Sequence, residues 1–366
     1  MNKGKQLSNK QIERRFETFK TAVAIFIALA IALLVISLVS EAPMEAIQAF
    51  IFGPLQKKSR LGNIVEMMTP LIFTGTAICV MYQANQFNMI GEGAFLLAAN
   101  MTTYFVLTFS NMNGLGLKVG GILVGVVVGA FAALIPAALK AKWKANEVVS
   151  SIMLNYILLQ LANYILYYQM KDTKAGLQAS YKLPAQSQLT KFISGTRIHT
   201  GIIIALVVVV AAYIFIYKTK WGYEIRMVGS NENFAKYSGI NVIGVAVMAQ
   251  VIGGAIAGMG GSIEQLGMYN RYVWYGKSPG YGWDGIMVGI LAKNNPLYVP
   301  LAAFFLAYLR IGADAMNRFS DVPVEFINIV QAIVIMLIAA QMFMSKYKHK
   351  LIVTNAKKQL EAKEDK

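Results

Sequence analysis

The amino-acid sequence predicts an all-α fold, a polytopic bundle of transmembrane helices. Of its 366 residues, 56% are hydrophobic and only 14% are charged, and the mean hydropathy is +0.51. These values lie far from those of soluble domains. The apolar residues also gather into runs of about twenty, the length at which a helix crosses about 30 Å of hydrocarbon. We therefore expect about ten membrane spans, one of them short or broken, with both termini in the cytoplasm.

The charge balance and the rare residue types narrow the possible functions. Thirty-four Lys and Arg against eighteen Asp and Glu give a net charge of +16, which in a membrane protein indicates contact with anionic membrane lipids rather than with nucleic acid. The single cysteine, Cys79, allows no intrachain disulfide, and two histidines, His199 and His349, cannot form a His-rich metal centre. We expect no metal and no nucleic-acid partner.

Ten apolar runs are the predicted spans. The first, 21–40, follows polar residues and lacks a small-residue cleavage site, so it is expected to remain as an anchor. The eighth is too short for a full crossing and is punctuated by Gly282, Gly285 and Gly289, which favours a half-helix inside the bundle. The runs are 21–40, 61–82, 87–109, 119–139, 146–168, 200–217, 241–261, 283–292, 296–309 and 324–344.

The distribution of Lys and Arg predicts the orientation of these spans. With the N-terminus inside, the inner segments hold 21 of the thirty-four and the outer segments hold 13, an arrangement that leaves no Lys or Arg within a span. We expect a basic cytoplasmic segment 1–20, a transmembrane domain 21–344 and a charged cytoplasmic tail 345–366. The loop 218–240 then lies inside, and the loop 170–199 lies outside.

Small residues recur at helical spacing in two of the spans. Glycines at every fourth position share one helix face, where the backbone of a neighbouring helix can approach closely. We expect these residues to serve tight helix packing rather than direct substrate contact, and the glycine density between 253 and 261 favours a helix that can shift against its neighbours. The residues are Gly121, Gly125 and Gly129 in the fourth span and Gly253, Gly254, Gly258 and Gly261 in the seventh.

Polar residues within apolar segments are the candidates for a substrate pathway, because such groups at membrane depth must face other helices or a wet cavity. For Glu92 a helix-end position is preferred, since it lies near the cytoplasmic boundary of the third span. For Asn155 interhelical hydrogen bonding and ligand contact both stay open, and Tyr156 offers a ring for a flat ligand. Asn146 is expected to cap the fifth span. The pathway candidates are Asn85, Asn88, Glu92, Asn155, Tyr156, Trp283 and Asp284.

Motifs for catalysis are absent from the sequence. It contains no G-x-x-x-x-G-K-[ST], no H-E-x-x-H and no G-x-S-x-G. We therefore expect no enzyme, no ATPase site and no cofactor on this chain. An ion-coupled secondary transporter is also disfavoured, because the sequence shows neither a convincing inverted repeat nor a mid-membrane cluster of acids.

The loop between the sixth and seventh spans is too amphipathic for a plain linker and too polar to enter lipid. Ser230 or Asn231 is expected to cap a short helix that runs through Phe234 and Ala235 and ends at Gly239 as a C′ glycine. A short helix on the inner surface favours a docking element. The alternative is a helix that merely lies on the lipid surface.

Five segments of the sequence resemble one known family, the permease subunits of bacterial ABC importers in the branched-chain amino acid, ribose and nucleoside group. The form N-E-V-x-S-x-I-M-L-N-Y looks most like nucleoside permeases that work with a lipoprotein of the basic membrane protein type. The segments are G-S-N-E-N-F-A-K-Y-S-G-I (229–240), F-N-M-I-G-E-G (87–93), N-E-V-V-S-S-I-M-L-N-Y-I (146–157), G-G-A-I-A-G-M-G-G (253–261) and G-Y-G-W-D-G-I (280–286).

The resemblance implies a permease in the bacterial cell membrane that imports nucleosides, with ribose, another sugar or a branched-chain amino acid as alternatives. It implies two ABC ATPase subunits that hold ATP and Mg²⁺, an extracellular substrate-binding lipoprotein, and a second homologous permease that forms a heterodimer with this chain. It also assigns the loop 229–240 to the coupling helix that contacts the ATPase. The coupling residues carried over are Gly229, Asn231, Glu232, Asn233, Phe234, Ala235, Tyr237 and Gly239.

Overall fold

The structure is a computed structural model that describes residues 40–193 and 195–319, together with nine isolated positions near the two ends. Apart from those positions and Ser40, the predicted first and tenth spans lie outside the described residues, as do the segments 1–20 and 345–366. The nine positions are Ile27, Ala30, Ile31, Leu33, Leu34, Ile36, Ser37, Asn328 and Ile329.

Helices and short connections make up the described part of the chain. Short 3₁₀ turns and three isolated β-bridges lie in the connections, and a π-helical turn, Leu166–Met170, extends the fifth helix. The helices are α1 (Pro43–Phe52), α2 (Lys58–Gln83), α3 (Gly91–Thr108), α4 (Gly114–Trp143), α5 (Glu147–Ile165), α6 (Gly201–Lys218), α7 (Lys220–Ser230), α8 (Glu232–Tyr237), α9 (Val242–Gly267), α10 (Tyr281–Leu291) and α11 (Val299–Phe319).

Six of the described segments are helical, long and apolar enough to cross a membrane, which makes the chain a multi-pass membrane protein. By contrast, α10 has only 11 residues and extends about 16 Å, about half of the hydrocarbon core. The eighth apolar run therefore forms the short helix that its glycines predicted. The six segments are Lys58–Gln83, Gly114–Trp143, Glu147–Met170, Gly201–Lys218, Val242–Gly267 and Pro296–Arg318.

The chain divides into two compact units. The first comprises Met1–Gly53 and Gly312–Lys366, and within it Gly312 lies against the backbone of Phe50. The second, Pro54–Ile311, contains α2 to α10 and the first part of α11. All the candidate functional residues discussed below belong to this second unit.

Helix α9 lies at the centre of the second unit and approaches α4 backbone to backbone. A methyl group on Gly258 would lie 2.2 Å from the carbonyl oxygen of Gly125, and one on Gly254 would lie 2.4 Å from that of Gly129. Real side chains never come so close, so α4 and α9 can pack in this way only because both carry glycine at the contact. Within this interface the Ser262 hydroxyl is 2.7 Å from the hydroxyl of Thr102 on α3.

The same helix also packs on α2 and α3 through glycine. Gly253 lies against Met81 of α2, and a methyl group on Gly261 would lie 2.1 Å from the carbonyl oxygen of Phe95 on α3. Helix α9 therefore contacts three neighbours through three faces. The seven glycines singled out from the sequence are all buried.

Several boundaries differ from those expected, and two of them bear on buried polar groups. The third span was expected to begin at residue 87, but residues 85–90 contain no helical turn and α3 starts at Gly91. The ninth was expected to end at 309 with Arg310 outside, which is wrong, because α11 continues to Phe319 and Arg310 lies in its middle. Arg310 is tolerated there because it forms an ion pair with the buried Asp284 of α10.

The loop 170–199 closes the end of the second unit that lies opposite α7 and α8, called the far end below. Its backbone N–H groups bond to the end of α9 and to the chain that follows it, with Leu189 N donating to Leu266 O, Leu183 N to Asn270 O and Ser180 N to Tyr272 O, each at 2.8 Å. A directional set of bonds of this kind holds the loop in one register.

Candidate coupling surface and polar interior

Helices α7 and α8 together form the expected amphipathic loop, so the loop contains one helix more than was expected. Each begins at a polar cap. The Thr219 hydroxyl accepts from Gly222 N at 3.1 Å, and the Asn231 side chain accepts from Phe234 N at 3.0 Å. Of the two residues proposed from the sequence, Asn231 rather than Ser230 caps α8.

The end of α8 is a Schellman motif. Ile240 N donates to Ala235 O at 3.0 Å and Gly239 N donates to Lys236 O at 3.1 Å, while Gly239 has a φ of +79°. Glycine adopts this left-handed conformation without the steric cost that a Cβ atom brings. The predicted C′ glycine is confirmed.

One face of α7 and α8 packs on the bundle. Ala235 has no exposed surface, and a methyl group on Gly229 would lie 2.0 Å from the carbonyl oxygen of Gln83, at the end of α2. The pair therefore rests directly on the ends of α2 and α9. The buried cluster that joins them is Ala84, Ile225, Val228, Ala235, Val245 and Ala249.

The opposite face of α8 is exposed. Phe234 is 55% exposed and Tyr237 is 91% exposed, and Glu232 and Asn233 lie beside them at the surface. The expectation that Ala235 contacts a partner is wrong, because its side chain is covered by this chain's own bundle. Two exposed aromatic residues on so short a helix form an apolar patch typical of a protein contact.

Glu92 lies deep in the bundle and caps α10. Its carboxylate, 3% exposed, accepts from Gly280 N at 2.8 Å and also from Gly282 N and the Ser278 hydroxyl. A carboxylate at a helix N-terminus satisfies orphan N–H groups and the positive end of the helix dipole. Glu92 is in the first turn of α3, the expected helix end, and it also fixes the start of α10.

The other acidic candidate, Asp284, is in the first turn of α10 and pairs with Arg310. Its neighbour Trp283 is 42% exposed. The sequence placed Asp284 correctly at the end of a span but gave no sign of Arg310, because the partner lies on a different helix.

Asn155 has both of its polar atoms engaged within the protein. Its carbonyl oxygen accepts from Gly93 N at 2.9 Å, and its amide donates to Met89 O at 2.8 Å. Of the two interpretations left open by the sequence, this geometry supports interhelical bonding. Tyr156 is 66% exposed and is not brought together with the other candidates.

Asn88 begins a buried polar network that sequence reasoning did not find. Its amide donates to Gln250 at 2.7 Å, Gln250 bonds to Gln86 at 3.3 Å, and Gln86 accepts from Lys140 at 2.7 Å. Lys140 also forms an ion pair of 2.6 Å with Glu147. The one available signal was Gln250, the only polar side chain in residues 242–261 of α9.

This network lies beside a cavity of about 600 Å³ next to α7 and α8. Asn85, with a φ of 55°, lines it together with Ser230, Glu232 and Lys144. Asn85 and Asn88 are therefore both near the α7–α8 end. Asn146, at the same cavity, accepts from Val148 N and Val149 N, which confirms the predicted cap of α5.

A second cavity, of about 770 Å³, lies at the far end. Tyr167 and Tyr168 line it with Trp274 and the carboxamides of Gln160 and Gln178. The sequence does not show that Trp274 meets the other four side chains, because it lies about one hundred residues further along the chain.

His199, also at the far end, is 2% exposed, and its Nδ1 accepts from Gly201 N at 3.1 Å. Burial, with a smaller contribution from the Lys191 charge, lowers the pKa of His199 to about 4. The imidazole is therefore neutral at physiological pH.

The helices, with six segments long and apolar enough to cross a membrane, and the polar groups buried between them define a polytopic membrane protein. The family described as "Branched-chain amino acid transport system / permease component" matches residues 60–339 of the chain. The chain belongs to this family of ABC transporter permeases.

Three relatives are similar over most of their length. The guanosine ABC transporter permease protein NupP of Bacillus subtilis (strain 168) is 32% identical over 323 residues, 87% of this chain and 92% of the relative. The glucose ABC transporter permease protein TsgB13 of Haloferax volcanii is 29% identical and covers 95% of this chain and 94% of its own. The nucleoside ABC transporter permease protein NupB of Lactococcus lactis subsp. cremoris (strain MG1363) is 28% identical, covering 82% and 84%.

Proposed function

We propose that the chain is the permease subunit of an ATP-driven importer of nucleosides in a bacterial plasma membrane. Two of the three relatives described above are named for guanosine or nucleoside transport, and both match this chain along more than four-fifths of its length. In this proposal the transmembrane domain 21–344 forms half of the translocation pathway. The segments 1–20 and 345–366 lie at the cytoplasmic face, where their basic residues meet anionic lipid.

The surface of α7 and α8 is proposed as the contact with the ATPase, and one observation carries this part of the proposal. Ala235 is fully buried against the ends of α2 and α9, while Phe234 and Tyr237 on the other side of the same helix are exposed. A partner that grips the exposed side and changes shape on ATP binding would therefore move the ends of two long helices. Such a partner must contact the permease differently in its two states.

The remaining partners follow from membership of an importer family. Two ATPase subunits bind ATP and Mg²⁺, an extracellular lipoprotein delivers the substrate, and a second, homologous permease completes the pathway as a heterodimer. Glu232 and Asn233 are proposed as polar contacts at the edge of the ATPase interface, and Gly229, Asn231 and Gly239 as the residues that shape the coupling helix.

The test is the double substitution Phe234→Ala with Tyr237→Ala, because both side chains are exposed and their loss leaves the core intact. The variant should keep its thermal stability, while ATPase binding weakens at least about tenfold, since exposed aromatic anchors commonly contribute about 2 kcal/mol. Uptake of radiolabelled uridine should fall with it. Trp143→Ala is the control, because Trp143 is 63% exposed at the end of α4 and lies outside α7 and α8. Normal uptake and ATPase binding in the double variant would show that α8 only lies on the lipid surface.

A sugar is the second candidate substrate, favoured by the similarity to the glucose permease TsgB13 over 95% of this chain. Uptake of uridine by cells with the complete transporter should resist an excess of ribose, glucose or leucine. If the cells import radiolabelled ribose or glucose and import no uridine, the substrate is a sugar, although the assignment to an ABC importer stands.

A further inference from the structure

The far-end cavity has the size and the lining of a small-molecule site. Its volume of about 770 Å³ falls within the range of about 300–1,000 Å³ typical of such sites. Four aromatic side chains line it, and the rings of Tyr164 and Tyr168 lie 4.6 Å apart, centre to centre. We call this cavity the aromatic cleft, and the residues that define it are Tyr164, Tyr167, Tyr168, Trp274, Gln160 and Gln178.

Backbone contacts hold the walls of the aromatic cleft in place. Asn163, which is 1% exposed, donates from its amide to Tyr275 O at 2.9 Å and accepts from Tyr275 N at 3.3 Å. Trp274 N donates to Gln178 O at 2.9 Å, beside a β-bridge between Ala179 and Val273. These bonds join the end of α5, the loop 170–199 and the chain before α10 into a preformed site.

The lining combines aromatic faces with uncharged polar groups. An interfacial belt explains tyrosine and tryptophan side chains, but it does not explain two carboxamides, Gln160 and Gln178, around the same cavity. The carboxamide of Asn163 is engaged by Tyr275. None of the described residues that line the aromatic cleft is charged. This uncharged lining offers an uncharged ligand a better match than it offers a phosphate. Lys171 lies outside the lining, with its ammonium 4.1 Å from the centre of the Tyr167 ring.

We propose that the aromatic cleft binds a nucleoside, an uncharged heterocyclic base that carries a hydroxylated sugar. The aromatic rings would stack on the base, and the carboxamides of Gln160 and Gln178, each with a donor and an acceptor, would bond to the edge of the base and to the sugar hydroxyls. The inference rests on the proposed function, from which it takes the class of substrate. It adds a site on the permease itself, at the end opposite the coupling surface.

The first experiment locates the ligand by intrinsic fluorescence. Adenosine or uridine is titrated into the complete transporter, reconstituted in lipid nanodiscs without the substrate-binding lipoprotein. Saturable quenching should disappear in Trp274→Phe, which keeps an aromatic ring, and should persist in Trp221→Phe, whose side chain is 57% exposed on α7. Quenching that survives in Trp274→Phe, or that never saturates in the unaltered protein, overturns the proposal.

The second experiment measures affinity with radiolabelled uridine. Tyr164→Ala should weaken binding about fivefold or more, because stacking on one aromatic side chain contributes about 1–3 kcal/mol, and Gln160→Ala should weaken it about threefold or more through the loss of a hydrogen bond. Tyr298→Ala is the control, since this tyrosine is 50% exposed and does not line the cleft. Equal affinity in all three variants overturns the site.

The outcomes separate this inference from the proposed function. If cells import uridine but the cleft variants bind it normally, the cleft proposal fails and the importer stands. If ribose or glucose binds the cleft and uridine does not, the substrate proposed for the transporter is wrong. If the cleft variants change only the phospholipid that co-purifies with the protein, the occupant is a lipid and the inference is overturned.

Discussion

The two ends of the second unit are held together in different ways. At one end, no backbone hydrogen bond joins α8 to α2 or α9 within the described residues, and the contact consists of small apolar side chains around Ala235. At the far end, the loop 170–199 forms backbone bonds to Leu266, Asn270 and Tyr272. Apolar contacts are non-directional and allow sliding, whereas hydrogen bonds hold one register. The α7–α8 end is therefore suited to transmit a shift of the helices, and the far end is suited to resist one.

Ala235→Arg should produce the largest effect, because it places a charged side chain where the native residue has no exposed surface. The energetic cost of burying an unpaired charge, with the overpacking added, should exceed about 3 kcal/mol and separate α8 from the bundle. Thermal unfolding in detergent measures this loss of stability. Ser238→Arg is the control, because Ser238 is exposed. If Ala235→Arg is as stable as the control, the inner face of α8 is not packed as described.

Gly229→Val tests the contact between α7 and α2. The added Cβ atom would lie 2.0 Å from the carbonyl oxygen of Gln83, so the backbone itself must move. We expect a destabilisation of about 1–3 kcal/mol and a matching loss of uridine uptake. Gly176→Val is the control, because nothing lies within 4 Å of the Cβ position there. Equal stability of the two variants would contradict the close approach.

The far end should respond to pH through His199. Because burial lowers its folded-state pKa from 6.5 to about 4, the unfolded chain binds a proton at a higher pH than the folded protein does. The contribution of His199 to the free energy of unfolding is therefore fully present above about pH 6.5. It falls by up to about 3 kcal/mol as the pH drops towards 4. The thermal unfolding midpoint should decline less steeply between pH 7 and pH 4 in His199→Gln than in the unaltered protein. An equal slope in the two proteins would contradict the lowered pKa of His199.

Gly239→Val should have the smallest effect on stability, because the space around the glycine is open and only its φ of +79° opposes a side chain. The cost should be about 1–2 kcal/mol. Gly239→Asn is the matched control, since asparagine tolerates the left-handed region better than valine. Uridine uptake should be reduced in the valine variant and largely retained in the asparagine variant. Equal uptake in both would show that this turn does not shape the coupling surface.

Local features of the fold were predictable from the sequence. The caps at Asn146 and Asn231 and the terminal Gly239 depend on hydrogen bonds to groups within five residues, and all three occur where they were expected. The short length of α10 was predictable for the same reason, because the apolar run and its glycines lie within one segment of the sequence. Burial of individual residues was less predictable, as Ala235 illustrates, because a six-residue helix gives too little pattern to tell its inner face from its outer one.

The sequence by itself therefore determined a multi-pass helical protein, the positions of its caps and the family to which its motifs belong. Only the tertiary structure decided that Glu92 caps a helix starting 189 residues later, that Asp284 neutralises Arg310, and that the aromatic cleft exists. The physical reason is the range of the interactions. Hydropathy and capping act over one or two turns of helix, whereas these pairs form only after distant helices have packed, and nothing in either local segment specifies its partner.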